Sequence, residues 1–279
     1  MAGTLQENEH TEIQSLLDRL KSVLGPCGRL MVAFSGGVDS SVVVAAAAQA
    51  LGKDNVLAVT ADSETLPENE LAQACELATS LGVRHTVVET RELDNELFCA
   101  NSSDRCYHCK SELWQRLVTL AAAEGVDAIA DGVNADDSTD FRPGIKAGDE
   151  AGVMHPLAEV GATKNQVRSL ARELGLSNWN KPAQACLSSR FPYGSVITAG
   201  KLRRVEQAEE FLRGLGLKQF RVRDHGDTAR IEVTAADLGG LAAEPRRQEI
   251  VEALKALGYT YVTLDLEGFR SGSMNEALR

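Results

Sequence analysis

The stretch from residue 29 to residue 131 constrains the fold more than any other, because its hydrophobic pattern keeps switching period. "RLMVAF" (29–34), "NVLAVTA" (55–61), "RHTVVET" (84–90) and "DAIAD" (127–131) have the length and apolar content of buried strands. Between them, "SSVVVAAAAQAL" ending at Gly52, "PENELAQACELATSLG" (67–82) and residues 105–124 read as helices. A further helix over "TEIQSLLDRLKSVL" (11–24) precedes the first strand and stops at Gly25-Pro26. Strands joined through helices cannot pair as hairpins. They line up in parallel with helices on both faces, so the expected class is α/β with a parallel sheet.

The pattern changes after Leu176. "SNWNKPAQACLSSRFPYGSVIT" (177–198) is rich in Ser, Asn, Pro and Gly and reads as a long loop. Beyond it come a helix ("AGKLRRVEQAEEFLRGLG"), two strands around a His-Gly-Asp turn ("QFRVRDHGDTARIEV"), a helix over 246–257 and a strand at "YTYVTLD". We therefore expect a parallel α/β domain over 1–180, a linker over 181–197 and a smaller α+β domain over 198–279. The net charge of −11 speaks against a nucleic-acid partner, which leaves a basic footprint. There is no run of eighteen apolar residues, and "MAGTLQENEHTE" has no leader pattern, so no membrane partner and a cytoplasmic location are expected. Six cysteines in 279 residues are too sparse for a disulfide scaffold. Cys27, Cys75 and Cys99 fall at capping or helical positions and read as packing residues.

The loop after the first strand is "FSGGVDSS" (34–41). Ser35, Gly36 and Gly37 put small residues where backbone N–H groups can turn toward a phosphate. Asp39, Ser40 and Ser41 open the next helix, whose dipole favours an anion. A tight strand–helix turn with an incidental cap would read the same way, and the loop has neither the P-loop nor the dinucleotide glycine pattern. The run S-G-G-x-D-S after an apolar strand nevertheless strongly resembles the pyrophosphatase loop of the N-type (PP-loop) ATP pyrophosphatases. That group includes GMP, NAD and asparagine synthetases and tRNA thiolation enzymes. The resemblance implies an adenine nucleotide alpha hydrolase-like domain that cuts ATP between its α and β phosphates, with Ser35, Gly37, Asp39 and Ser40 holding pyrophosphate. "VTADS" (59–63), with Ala61 and Ser63, would then lie near the adenosine. "DGVNADDSTDFRPG" (131–144) follows the last strand of the sheet, at the edge where open α/β sheets bind ligands. Asn134 and Asp137, or its neighbour Asp136, are candidates for the Mg²⁺ and nucleotide site, and Arg142 for the triphosphate. A solvated acidic loop is the plainer reading of that segment, and His155 reads as a satisfied strand-end histidine.

Cys186 sits in the linker among Gln184, Ser188, Ser189 and Arg190, company that suits a nucleophile better than a core residue. "SGGVDSS", "DRCYHCK", "DGVNADD" and "KPAQACLSSRFPYG", in this order, resemble the LarE family. These are ATP-dependent sulfurtransferases that build the nickel-pincer nucleotide of lactate racemase. The resemblance implies ATP, Mg²⁺ and a pyridinium-3,5-biscarboxylic acid mononucleotide, adenylated on a carboxylate. A thiolate at Cys186 would displace AMP, and cleavage of its Cβ–S bond would leave a thiocarboxylate on the product. Ser188, Arg190, and Arg221 and Arg223 at alternate positions of one strand would anchor the anionic substrate, with Glu232 a weaker organiser of metal or anchors. A solvated sheet face explains the strand arginines equally well. The family also implies a homo-oligomer working beside other enzymes of the pathway.

"DRCYHCK" (104–110) is superfluous to a sacrificial cysteine. Zinc would have Cys106, Cys109, Cys186 and His108, a poor closed tetrahedral set. A redox pair lacks its usual frame, and two spectator thiols fit the sacrificial route. The favoured reading is a [4Fe–4S] cluster held by Cys106, Cys109 and Cys186, with sulfur passed on while Cys186 survives. The rival functions are a cluster-dependent tRNA thiolation enzyme and a non-catalytic module that senses nucleotide and metal.

Overall fold

The structure, a computed structural model, describes residues 2–139, 143–182 and 185–270; of residues 2–9, 138 and 139 it describes the backbone alone. In chain order the elements are α1 (Ala2–Leu24), β1 (Leu30–Ala33), α2 (Val38–Leu51), β2 (Val56–Asp62), α3 (Glu68–Leu81) and β3 (Arg84–Glu89). Then follow α4 (Glu96–Cys99), α5 (Arg105–Glu124), β4 (Ala128–Ala130), α6 (Pro143–Glu150), α7 (Pro156–Glu159) and α8 (Lys164–Glu173). The remainder is α9 (Ala199–Gly214), β5 (Phe220–His225), β6 (Thr228–Val233), α10 (Ala235–Ala242), α11 (Arg246–Ala256) and β7 (Tyr261–Leu264). No helix among the described residues is long and apolar enough to cross a membrane.

Two compact units divide the chain. The first comprises Met1–Ser63, Glu68–Arg91 and Cys106–Gln184; the second takes Glu64–Pro67, Glu92–Arg105 and Ala185–Arg279. The first is built on a parallel sheet of order β3-β2-β1-β4, the α/β class expected from the strand–helix alternation. Alternate residues of its strands enter separate cores. Leu30, Val32, Val56 and Ala58 pack with α1, α2 and α8, while Met31, Leu57 and Val59 pack with Leu113, Trp114 and Leu117 of α5. This two-sided cover explains why α2 can be apolar around almost its whole circumference: Val38 and every residue from Ser40 to Ala47 are buried.

The second unit has its own sheet, β5-β6-β7, and its own core of Ala208, Leu212, Phe220, Val222, Ile231, Val233 and Leu254. β5 and β6 form the expected antiparallel hairpin, turning at Gly226 with φ 74°. β7 runs parallel to β6, because α10 and α11 carry the chain back across the sheet. Helices α4, α6, α7, α8 and α10 are additions to the sequence reading. The start of α8 carries a capping box, Thr163 with Gln166, that the sequence does spell out. α7 is a single turn, and α10 contains Gly239 and Gly240, so neither has the periodicity that marks a helix.

Candidate active site

β1 ends at Ala33, but Phe34 still donates its N–H to Val59 O at 2.8 Å, so the chain leaves the sheet only at Ser35. Gly36 then turns it with φ 66°, and a Cβ there would lie 3.0 Å from Cα and Cβ of Ala74 on α3. Only glycine meets both conditions. The serines tie the turn to the helix. Ser35 N donates to Ser40 Oγ at 3.3 Å, Gly37 N to Ser35 Oγ at 3.4 Å, and Ser41 Oγ to Gly37 O at 2.7 Å. Gly37, extended and without a side chain, occupies the N-cap of α2, leaving backbone N–H groups at the positive end of the helix for an anion.

Residues 131–137 lie against this loop. A Cβ on Gly132 would stand 2.7 Å from the Ser40 nitrogen, so the glycine is what allows the two backbones to touch. Asn134, almost fully buried, donates Nδ2 to Asp39 Oδ1 at 3.2 Å, and its own N–H goes to Asp137 Oδ2 at 3.1 Å. Asp39 also pairs with the ammonium of Lys164, the first residue of α8, whose N–H is accepted by Asp136 Oδ2 at 2.8 Å. Ser35 to Ser41, Asn134 and Asp137 are thus brought together. Ala61 is the last residue but one of β2, and Ser63 follows the strand's end at Asp62, at the carboxyl edge of the sheet. Arg142 lies outside the described residues.

Two contributors were missed in the sequence. Lys164 stands beside Asp39, and Asn178 donates Nδ2 to Gly36 O at 3.1 Å and Ser41 Oγ at 3.0 Å. The capping box before α8 placed Lys164 at a helix start; nothing marked Asn178 within its loop. His155 bridges Asp131 at 2.8 Å and Asp149 at 3.3 Å. The hydrogen bond to Asp131 holds its pKa above the ordinary histidine value, against the opposing effect of burial.

Cys106 and Cys109 lie on the first turn of α5, three residues apart and hence on one face, with Cys106 exposed and Cys109 half-buried. Both belong to the first unit, and Cys186 belongs to the second. Among the described residues no group of three His, Cys, Asp or Glu side chains is placed to hold a metal ion.

In the second unit Cys186 is exposed and starts a 3-10 turn, Leu187–Arg190. Arg190, 1% exposed, fixes that turn from beneath. Its Nη1 donates to Ala185 O at 2.6 Å and Cys186 O at 3.0 Å, while Nε and Nη2 each reach Glu209 at 2.8 Å. Arg223 donates to Ser189 O at 2.9 Å and Glu232 Oε2 at 2.7 Å, and Arg230 reaches Glu232 Oε1 at 3.0 Å. Burial and the neighbouring Arg190 charge pull the Arg221 guanidinium down to about 10. Arg190, Arg221 and Arg223 therefore form one cationic group beside the Cys186 turn, with Glu209 and Glu232 as counter-charges. Ser188 is fully buried, and its hydroxyl has no partner among the described residues.

One family model and three relatives bear on this arrangement. A family model described as NAD synthase matches residues 12–190. The pyridinium-3,5-bisthiocarboxylic acid mononucleotide synthase of Lactiplantibacillus plantarum is 43% identical over 259 residues, 93% of this chain and 93% of its own length. An uncharacterized protein of Synechocystis sp. is 45% identical over 95% of this chain and 99% of its own. Argininosuccinate synthase of Halobacterium salinarum is 32% identical over 54% of this chain and 40% of its own length.

Proposed function

Because the chain belongs to the LarE family of ATP-dependent sulfurtransferases, within the NAD synthase-type PP-loop ATP pyrophosphatases, we propose that it converts a carboxylate of pyridinium-3,5-biscarboxylic acid mononucleotide into a thiocarboxylate. What carries this reading is that the first unit has an anion-ready loop at Ser35–Ser41 and the second has an exposed thiol, Cys186, whose main chain is fixed by buried Arg190. A substrate carboxylate oxygen attacks the α-phosphate of ATP, giving an acyl adenylate and pyrophosphate. Ser35, Ser40 and the loop N–H groups hold the leaving pyrophosphate, and Lys164, held by Asp39, supplies positive charge beside it. Sulfur then attacks the acyl carbon and AMP leaves. Arg221, the least buried of the three arginines, is the anchor for the substrate's anionic groups, while Arg190 and Arg223, buried in their ion pairs, shape and charge its surroundings.

Mg²⁺ accompanies the ATP. Asp39, Asp136 and Asp137 offer the hard oxygen donors that it takes. For the sulfur, Cys106 and Cys109, one helical turn apart, and exposed Cys186 are the three thiols that would hold a [4Fe–4S] cluster. Such a cluster, when bound, supplies an open iron corner able to carry sulfide. In that form Cys186 survives turnover as a carrier. A homo-oligomer acting between the enzymes that make the mononucleotide and those that consume its thiocarboxylate completes the reading.

The test is a single-turnover reaction on protein purified without oxygen, with iron and acid-labile sulfide measured beforehand. The reading expects pyrophosphate and AMP, a product heavier by the replacement of oxygen with sulfur, an iron signal lost in Cys106→Ser, and unchanged Cys186. Dehydroalanine at position 186 of an iron-free protein would make Cys186 the sulfur donor itself. No pyrophosphate with this substrate would overturn the assignment.

A further inference from the structure

The residues that immobilise the Cys186 turn come largely from elsewhere in the chain. Within the second unit, Leu187 N–H is accepted by Thr65 O at 2.9 Å, and Ile197 N–H by Cys99 O at 2.9 Å. Between these ties stands Asn101, which has no exposed surface and is the one non-glycine among the described residues with positive φ, 55°. Its carbonyl accepts Gly194 N–H at 2.9 Å and its Nδ2 donates to Pro192 O at 2.8 Å. Its Oδ1 accepts from Arg105 Nη1, and the same Nη1 donates to Ser188 O at 3.0 Å, two residues past Cys186. Arg105 is 5% exposed, and its guanidinium lies 5.8 Å from the ring centre of Tyr193.

A left-handed asparagine costs energy that a plain turn would avoid, and a buried guanidinium costs more. Both are spent on carbonyls of one segment, residues 188–194. Neither residue belongs to the loop at Ser35–Ser41 or to the arginine group around Glu209. We propose that Asn101 and Arg105 are positioning residues for sulfur transfer: they hold the Cys186 turn in the geometry the second half-reaction needs and have no part in adenylation. The inference rests on the proposed two-step chemistry. It predicts that the two steps separate when the brace is cut.

The experiment uses the full-length chain with Asn101→Ala, Asn101→Gly and Arg105→Lys. Glycine keeps the left-handed backbone without the side-chain bonds, and lysine keeps the charge on a single donor nitrogen without the planar fork. Three quantities are read: pyrophosphate release with ATP and the mononucleotide, thiocarboxylate formed, and the alkylation rate of Cys186 by iodoacetamide, followed by mass spectrometry. Pyrophosphate release is expected to stay near wild type. Thiocarboxylate formation falls by up to about 10²-fold in both Asn101 variants, the scale of a misplaced reacting group, and by less in Arg105→Lys. The Cys186 alkylation rate shifts in the same order. Should Asn101→Ala fail to fold, as judged by its melting curve, Asn101→Gly and Arg105→Lys decide. Equal losses in both half-reactions, or no loss in either, would overturn the proposal. If wild type itself releases no pyrophosphate, the functional reading fails, and the alkylation rates alone decide whether the brace sets the environment of Cys186.

Discussion

Nε and Nη2 of Arg190 meet Oε1 and Oε2 of Glu209 in a two-pronged pair, both bonds 2.8 Å, with the side chains 1% and 5% exposed. Oε1 also takes the Val222 N–H at 3.0 Å, so one carboxylate joins the Cys186 turn, α9 and β5. Glu209→Gln leaves a buried guanidinium without its counter-charge, a change that costs about 3–5 kcal/mol. Burial alone would raise the Glu209 pKa, but the Arg190 charge and hydrogen bond win and hold it below the ordinary carboxylate range. The stabilisation is therefore complete above that range and lost as pH falls through the lower folded value. Urea unfolding at pH 7 and in acid, wild type beside Glu209→Gln, reads both effects.

His155 has the opposite sign. Its pKa is raised, first by the hydrogen bond to Asp131, so its contribution is complete below the unfolded histidine value of about 6.5 and fades as pH climbs through the higher folded one. Melting temperatures across neutral and mildly alkaline pH are expected to fall more steeply for wild type than for His155→Gln. Parallel curves would show that Asp131 and Asp149 gain nothing from the imidazolium.

Gly132→Ala places a methyl group 2.7 Å from the Ser40 nitrogen, where backbone rather than a flexible side chain must yield. The loop is pushed off the shape in which we propose it binds phosphate. KM for ATP is expected to rise at least about tenfold, on the scale of 1–3 kcal/mol for strain at a forced contact. Pyrophosphate–ATP exchange measures it, and an unchanged KM would place the nucleotide elsewhere.

Lys164→Met removes the cation paired with Asp39. Loss of one charge-stabilising group in a pyrophosphate-forming step lowers kcat/KM by about 10²-fold, and Lys164→Arg is expected to recover part of it. A Met variant with wild-type kinetics would reduce Lys164 to a structural counter-ion.

Much of both units was legible where the signals are local. The helix expected over 105–124 is α5, residue for residue, and the antiparallel hairpin at His-Gly-Asp formed where its turn residues put it. Other features had no local mark. Glu209 reads as one more charge in "VEQAEEF" until α9 turns it inward onto Arg190. Asn178 and Asn101 sit in polar stretches that look like solvated loop, and each acquires its role only when carbonyls from distant sequence arrive. Long-range polar contacts of this kind follow from the tertiary fold, and no period or spacing announces them.

The bond between Arg105 and Ser188 joins residues 83 positions apart. At about 5–20 residues per second, a ribosome needs roughly 4–17 s to supply the acceptor after it has released the donor. Throughout that interval Asn101 and Arg105 are outside the tunnel, committed by sequence to a buried site that does not yet exist. The order of synthesis thus leaves the segment around 92–105 unsettled until residues 188–194 emerge, just as it leaves the loop at Ser35–Ser41 waiting for Asn178, and gives a chaperone time to hold both.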